Sequence, residues 1–476
     1  MDFLFTKTPL VFLTQNLWRD EAFSYLLAIE PIHRILSLTA SDFNPPLYYL
    51  FLHYWVMIFG SSEIAIRSLS LLFFAGLIYL IYLICDEIFH LSFWSTLIMI
   101  ILFILNPFLV TYAFEGRMYM MVTFFIVLSY YALWENHKKL YIVSMTLALY
   151  THYFAVFILI AQLLPNLVSW KIKLFQKKWS FSQYVNIDSI IEDIKSANIF
   201  VTPLLLFLPW LLYMILVHDF SDSSFWVIRP PSFDIWYIPF ILYTAYERVF
   251  GQYYHGGAGY ITFHTRLLIF LYAVLFLPLI IKFQTLKKTI HHRHHRLAYY
   301  RDLVLWAFFA PALLFAVSFL TNPVYLPRYF IFAVPGFLML MGLLILSLFQ
   351  NKKDWIHLLM GSVLLVMLFT MTHEFNGLNL KYRSKRLIAP LISEIRAQVG
   401  KNDYVFVKNE LDYHLVKYYM KDKGDQVKIY QKTYDELPNF VGKVLIPPED
   451  VVDYLPVYPE KAFVLSYNSY EIMAAY

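Results

Sequence analysis

The sequence predicts a polytopic α-helical membrane protein with a small α/β domain at its C-terminal end. Three observations predict it. Of 476 residues, 59% are hydrophobic and only 15% charged, where soluble domains carry roughly 25% charge; the mean hydropathy is +0.56. Apolar runs approaching the roughly 20 residues that a bilayer requires recur as far as residue 373. From residue 374 onward the composition turns mixed and polar. A soluble enzyme, a disordered chain and a nucleic-acid binder are excluded. The net charge of +5 is too small to be informative as a total, and the single cysteine, Cys85, allows no internal disulfide.

The elements follow in order. Phe3 to Leu13 is a short apolar stretch interrupted by Lys7, too short for a span. Residues 22–37 and 45–60 are apolar but broken by Glu30, His33 and Arg34 in one and His53 in the other; they read as helices lying along a membrane surface. Residues 236–250 read as a third. Apolar runs at 64–84, 93–113, 118–134, 198–217, 262–282, 303–320, 329–349 and 355–373 read as spans. The stretch 140–170 is too long for one span and breaks at Thr151-His152-Tyr153, giving two short helices and ten spans in all. After residue 373, "RLIAPLISEIRAQV" has helical periodicity, while "DYVFVK" and "KAFVLSY" read as strands. The expected division is therefore a membrane domain over 1–373, with an outer loop at 14–63, and a soluble α/β domain over 374–476.

Basic residues orient the spans, because Lys and Arg in short loops mark the cytoplasmic side. Lys138 and Lys139; Lys171, Lys173, Lys177, Lys178 and Lys195; Lys282 to Arg301; and Lys352 with Lys353 all fall on one side if ten spans alternate. The opposite, extracytoplasmic side then holds residues 1–63, the turn Glu115-Gly116-Arg117, the turn at His152, the loop 218–261, the segment 321–328 and the C-terminal domain. The histidine-rich run His291-His292-Arg293-His294-His295 lies in a basic cytoplasmic loop and reads as solvated. No internal repeat is visible.

The few polar motifs gather on the outer side. Trp18-Arg19-Asp20-Glu21 offers two adjacent carboxylates, either solvated loop charge or a general base at membrane level. Asp42-Phe43-Asn44-Pro45-Pro46-Leu47-Tyr48-Tyr49 places Asp42 and Asn44 at a helix start, where an N-cap is the plain structural reading. Glu115-Gly116-Arg117 is either an intra-turn ion pair or a cation at the mouth of a phosphate site. Tyr325-Leu326-Pro327-Arg328-Tyr329 carries an arginine that either snorkels or grips a phosphate. His152 and His255 read as loop histidines unless the site recruits them. No Walker loop, zinc signature or nucleophile elbow occurs, so no cofactor and no metal ligand is assigned, and participation of a divalent cation stays open.

Taken in order, "LWRDEAFS", "DFNPPLYYLFLHYW", "SSEIAIRSLSLLF", "EGRMYM", "YTHYFA" and "LPRYFIFAVPGFLML" resemble the GT-C superfamily of membrane glycosyltransferases. The nearest branch is similar to glycosyltransferase family 39, which includes protein O-mannosyltransferases and bacterial lipid-linked-sugar transferases. The resemblance covers roughly residues 12–373. It implies a GT-C fold with juxtamembrane helices, and a donor that is a sugar on a polyprenyl phosphate. It implies an acceptor on a glycan, glycolipid or protein at the outer face of the cell membrane. Asp20 falls on the family's catalytic aspartate, with Glu21 its usual neighbour. Arg328 best matches a phosphate-holding cation, with Arg117 and Tyr329 beside it, while Asp42, Asn44, Tyr48, Glu115 and His152 support the site. Two features depart from the family: Asn44 stands where His or Lys is common, and the first transmembrane helix is shortened or absent.

The implied reaction is inverting transfer with Asp20 as general base. A transporter or flippase would carry charges at its span centres, and these are nearly free of them. A non-catalytic scaffold would tolerate replacement of Asp20 and Arg328.

Overall fold

The computed structural model describes residues 8–165, 187–219, 227–245, 258–281, 294–350, 355–382 and 385–476. The segment before the first long apolar helix forms α1 (Arg19–Ala28), α2 (Ile32–Ser41) and α3 (Leu47–Phe59). One helix was expected over 22–37; the chain makes two. Pro31 has no N–H to continue the ladder of α1, and a proline is tolerated where α2 starts. Pro45-Pro46 leads into α3, and Gly60, at φ +87, ends it in a left-handed turn open to a glycine. A single turn over Val11–Thr14 precedes these helices.

The apolar runs form α4 (Glu63–Leu83, continued by a π-turn over Ile84–Ile88), α5 (Phe93–Leu105), α6 (Pro107–Ala113), α7 (Tyr119–Trp134), α8 (Lys138–Thr151) and α9 (Ala155–Pro165). They continue as α10 (Ile187–Val217), the short α11 (Ile238–Thr244), α12 (Ala258–Ile281) and α13 (His294–Leu320). A 3₁₀ segment over Pro327–Ala333 leads into α14 (Val334–Ser347), and α15 (Trp355–Tyr382) follows. Among the described residues, five helices are long and apolar enough to cross a membrane, and the α5–α6 pair makes a sixth if counted as one span. That pair is bent by 59°, whereas 93–113 reads as one straight run. Pro107 breaks the ladder, and Asn106 restarts it by accepting the Leu109 N–H at 3.0 Å. The break between α8 and α9 falls at His152, as the sequence predicts. Of the third expected surface helix, Ser232–Tyr237 is a 3₁₀ turn and α11 is helical, while 246–250 lie outside the described residues. His255, the first three residues of the histidine-rich run (His291, His292 and Arg293) and Lys352-Lys353 also lie outside them.

The centre of the bundle is α14. Of an 18-residue apolar window within Pro327–Ser347, 94% is buried by protein, against 22% for the window within Trp355–Leu380. A helix apolar on every side serves equally in lipid or in a protein core, and here neighbouring helices enclose it. Gly336 makes the enclosure tight, because a Cβ there would stand 2.6 Å from Trp306 Cγ. Trp306 stacks on Tyr130 at 3.8 Å between ring centroids and donates from Nε1 to the Phe332 carbonyl at 2.6 Å.

The C-terminal domain pairs α16 (Ala389–Gln398) and α17 (Tyr413–Met420) with five strands: β1 (Tyr404–Val407), β2 (Val427–Tyr430), β3 (Val451–Val452), β4 (Ala462–Ser466) and β5 (Ser469–Met473). The order is β3-β2-β1-β4-β5, parallel except for the β4–β5 hairpin. Val405, Phe406 and Val407 of the middle strand are all buried, as a strand covered on both faces requires. α15 runs on to Tyr382, past the expected boundary at 373. The domain docks on α1: the Phe23 ring meets His414 of α17 edge-on at 5.4 Å.

Candidate functional site

The site is built around the first turn of α1. Asp20 and Glu21 sit in that turn, where the unpaired N–H groups and the helix dipole favour carboxylates. Adjacent in sequence, they have opposite surroundings. Glu21 is fully buried. Its Oε1 accepts from Arg67 Nε at 2.8 Å and from the Gly116 N–H at 2.9 Å. Its Oε2 accepts from Arg67 Nη2 at 2.8 Å, Lys385 Nζ at 2.6 Å and the Trp18 N–H at 2.7 Å. Burial alone would push this carboxyl up, but Arg67, Lys385 and the Gly116 N–H together hold it well below the usual carboxylate range. The side chain of Asp20, by contrast, is 36% exposed, and Arg328 Nη1 stands 3.3 Å from its Oδ2.

Arg117 approaches from the turn between α6 and α7. Its Nη1 donates to the Asp20 carbonyl at 3.3 Å and to Ser24 Oγ at 3.1 Å. That turn is fixed twice: Ser70 Oγ donates to the Glu115 carbonyl at 2.6 Å, and Gly116 donates to Glu21. Gly116 admits no side chain, because a Cβ would come within 2.6 Å of Ile66 Cγ2. Arg117 Nε and the Tyr49 hydroxyl are buried without a hydrogen-bond partner. Tyr49 lies within electrostatic reach of Arg117, Asp42 and Asp20. Buried polar groups rarely go unsatisfied.

The rest of the site surrounds this centre. Tyr329 follows Arg328 and meets the His152 ring edge-on at 5.4 Å. His152 Nδ1 accepts the Phe154 N–H at 3.2 Å, which leaves the proton of the neutral ring on Nε2. Burial, and then Arg117, push His152 down to about 3, so the ring is neutral at ordinary pH. Asp42 accepts from Asn44 Nδ2 at 2.6 Å. Burial and the charge of Asp20 raise it to about 7, against the pull of Asn44 and Arg117. Glu115 is likewise raised to about 7, by burial first and then by Glu21 and Asp20, against Lys385 and Arg328. Tyr48 is buried in α3 with its ring 5.7 Å from Tyr49.

The structure thus gathers Asp20, Arg117, Arg328, Tyr329, His152, Glu115 and Asp42 from separate stretches of chain. Asn44 reaches the site only through Asp42, and Glu21 faces into its own closed network. Among the described residues, no group of three or more His, Cys, Asp or Glu is placed to hold a metal ion.

Sequence reasoning missed Arg67, Lys385 and Asp412. Arg67 left a signal: it is the lone charge after Glu63 in an apolar run, and an unpaired charge there is costly. Its Nη1 also donates to the Leu13 and Gln15 carbonyls and its Nη2 to that of Asn16, so one guanidinium ties the segment before α1 to α4. Lys385 left none, because only the fold brings it to Glu21.

No family model matches the sequence, and comparison with curated proteins finds no match either. Two solved structures match in three dimensions, both of ArnT from Cupriavidus metallidurans. One, in the apo state, superposes with a TM-score of 0.55 at 12% identity, covering 93% of this chain and 86% of that one. The other, bound to undecaprenyl phosphate, gives a TM-score of 0.55 at 14% identity, covering 95% and 90%. The likeness spans the helical bundle and the C-terminal domain together, so this chain has the fold of ArnT, the GT-C fold that its sequence motifs imply.

Proposed function

We propose that this chain is a membrane glycosyltransferase that moves a sugar from a polyprenyl phosphate to an acceptor hydroxyl on a glycan, glycolipid or protein at the extracytoplasmic face. The observation that carries the reading is the half-exposed Asp20 carboxylate beside two arginines, Arg328 on its side chain and Arg117 on its backbone, on a turn outside the spans. On this reading Asp20 takes a proton and the two arginines meet a phosphate. The fold supports a lipid-linked donor, since one of the ArnT structures is bound to undecaprenyl phosphate.

The acceptor oxygen attacks the anomeric carbon as Asp20 takes its proton. The bond from that carbon to the phosphate oxygen breaks, and the polyprenyl phosphate leaves with the electron pair, inverting the anomeric centre. Without donor, Arg328 rests on Asp20. An arriving phosphate draws the guanidinium to itself, since Arg pairs well with phosphate, and that exchange frees the carboxylate to act as a base. Arg117 Nε offers a second N–H, and neutral His152 with Tyr329 walls the pocket. Residues 374–476 act as an extracytoplasmic domain.

The test is release of polyprenyl phosphate by purified protein, offered a panel of polyprenyl-phosphate sugars with envelope glycolipids and glycans. General-base help is worth about 10²–10⁴-fold, so Asp20→Asn should lose at least about 100-fold in kcat, while Arg328→Ala should chiefly raise the KM for donor. Near-wild-type transfer by folded Asp20→Asn would sink the mechanism.

A further inference from the structure

We infer that Lys385, with Arg386 beside it, is a latch by which the C-terminal domain positions the catalytic turn; this rests on the reading of Asp20 as the base. Two successive residues at the start of that domain bear on the neighbours of Asp20, Lys385 directly on Glu21 and Arg386 through the Asp412 that it shares with Arg19. Lys385 Nζ reaches Glu21 Oε2 at 2.6 Å. Arg386 Nη1 reaches Asp412 Oδ2 at 2.8 Å, and Asp412 Oδ1 accepts from Arg19 Nε, also at 2.8 Å. The backbone adds two contacts: Lys385 N–H donates to Gln15 Oε1 at 3.1 Å, and Asn16 Nδ2 donates to the Arg386 carbonyl at 3.1 Å. The turn that carries Asp20 is thus held from the far end of the sequence, on both sides.

Charge distinguishes a latch from a plain structural contact. Arg67 already satisfies Glu21 through a bidentate pair with both side chains fully buried, and that pair is electrically complete. A second cation with its side chain only 15% exposed adds desolvation that the pair does not need. Burial accordingly pulls Lys385 below the usual lysine value, with Glu21 opposing. An ammonium kept in such a place is explained by what it holds. Glu21 also accepts the N–H groups of Trp18 and Gly116, so the cation that clamps its carboxylate sets the α1 turn and the Arg117 turn together.

The experiment uses the full chain with Lys385→Met, Lys385→Arg and, as a control, Arg396→Ala at an exposed pair elsewhere in the domain. Hydrogen exchange is followed at the Trp18 and Gly116 amides, which Glu21 protects. Lys385→Met should exchange at least about 10-fold faster at these two amides, with protection elsewhere and the melting temperature unchanged. Transfer should show a lower kcat at constant donor KM, and Lys385→Arg should restore both readouts. Unchanged exchange at the two amides would overturn the latch whatever happens to activity. So would faster exchange throughout the chain that Lys385→Arg fails to rescue, which marks a general packing role. If the wild-type chain transfers nothing from any donor, the proposed function fails, and the latch is judged on exchange alone.

Discussion

Replacing Glu21 with glutamine is the most demanding test of the buried network. Glu21 and Arg67 have side chains with no exposure, so water cannot compensate either one. The carboxylate accepts five hydrogen bonds, two from Arg67 and one each from Lys385, Trp18 and Gly116. Glutamine keeps the shape but one oxygen becomes an NH₂ group, which then faces donors wherever it is turned. The charge that balanced Arg67 and Lys385 is also lost. Removing one partner of a buried pair costs about 3–5 kcal/mol, and a donor left facing donors costs about 1–3 kcal/mol of desolvation. Because the two overlap, about 4 kcal/mol is expected. Arg67→Met should cost a similar amount, and the double variant should cost clearly less than the sum, since each single change strands the other's charge. Reversible unfolding in detergent, read by tryptophan fluorescence, measures all three. A loss under about 1 kcal/mol for Glu21→Gln, or strict additivity, would refute the view that this carboxylate closes the segment before α4 against the bundle.

Two further predictions concern packing and pH. Gly336→Ala puts a methyl 2.6 Å from Trp306 Cγ, and that indole is already wedged against Tyr130; it should cost about 1–3 kcal/mol, and an unchanged melting temperature would show that α14 is looser than described. Asp42 and Glu115 are both raised to about 7, so the folded chain binds these protons more tightly than the unfolded one. Their stabilisation is present at low pH and is lost as pH climbs from the ordinary carboxylate range near 4 through about 7. The melting temperature should fall over that window, and an Asp42→Asn/Glu115→Gln variant should flatten the fall; an equal slope in both proteins would count against the burial of these carboxyls.

How much of this was legible in the sequence depends on the kind of residue. Hydrophobic length marked the runs that became α4, α7, α13, α14 and α15, because lipid and core both select for it. It did not show which run would be central: α14 and α15 read alike, yet one is enclosed and the other is not. Local breakers were legible in part. Thr151-His152-Tyr153 separates two helices as expected, whereas Pro31 and Pro107 divide runs that hydropathy alone presents as whole. In the C-terminal domain β1 and β4 stood out as apolar runs, but β2, β3 and β5 did not: Lys428 interrupts β2, Glu471 interrupts β5, and β3 is only two residues long. At the site, Asp20, Arg117 and Arg328 stood out as charges in scarce outer motifs. What composition could not give was the difference between Asp20 and Glu21, which comes from Arg67 and Lys385 closing around one of two adjacent carboxylates.

The enclosure of α14 bears on how the protein is made. Arg328, which reaches Asp20 across 308 residues of sequence, is supplied by the 3₁₀ turn that leads into this helix. A nascent chain that has inserted everything up to residue 326 still lacks the pillar its other helices lean on, and an α-helix with its side chains is roughly 10 Å wide. Until the pillar enters, the early helices have lipid or one another where α14 belongs, and the Asp20 side chain lacks Arg328. Biogenesis therefore delays this pairing: Asp20, near the start of the chain, meets Arg328 only once one of the last spans has entered.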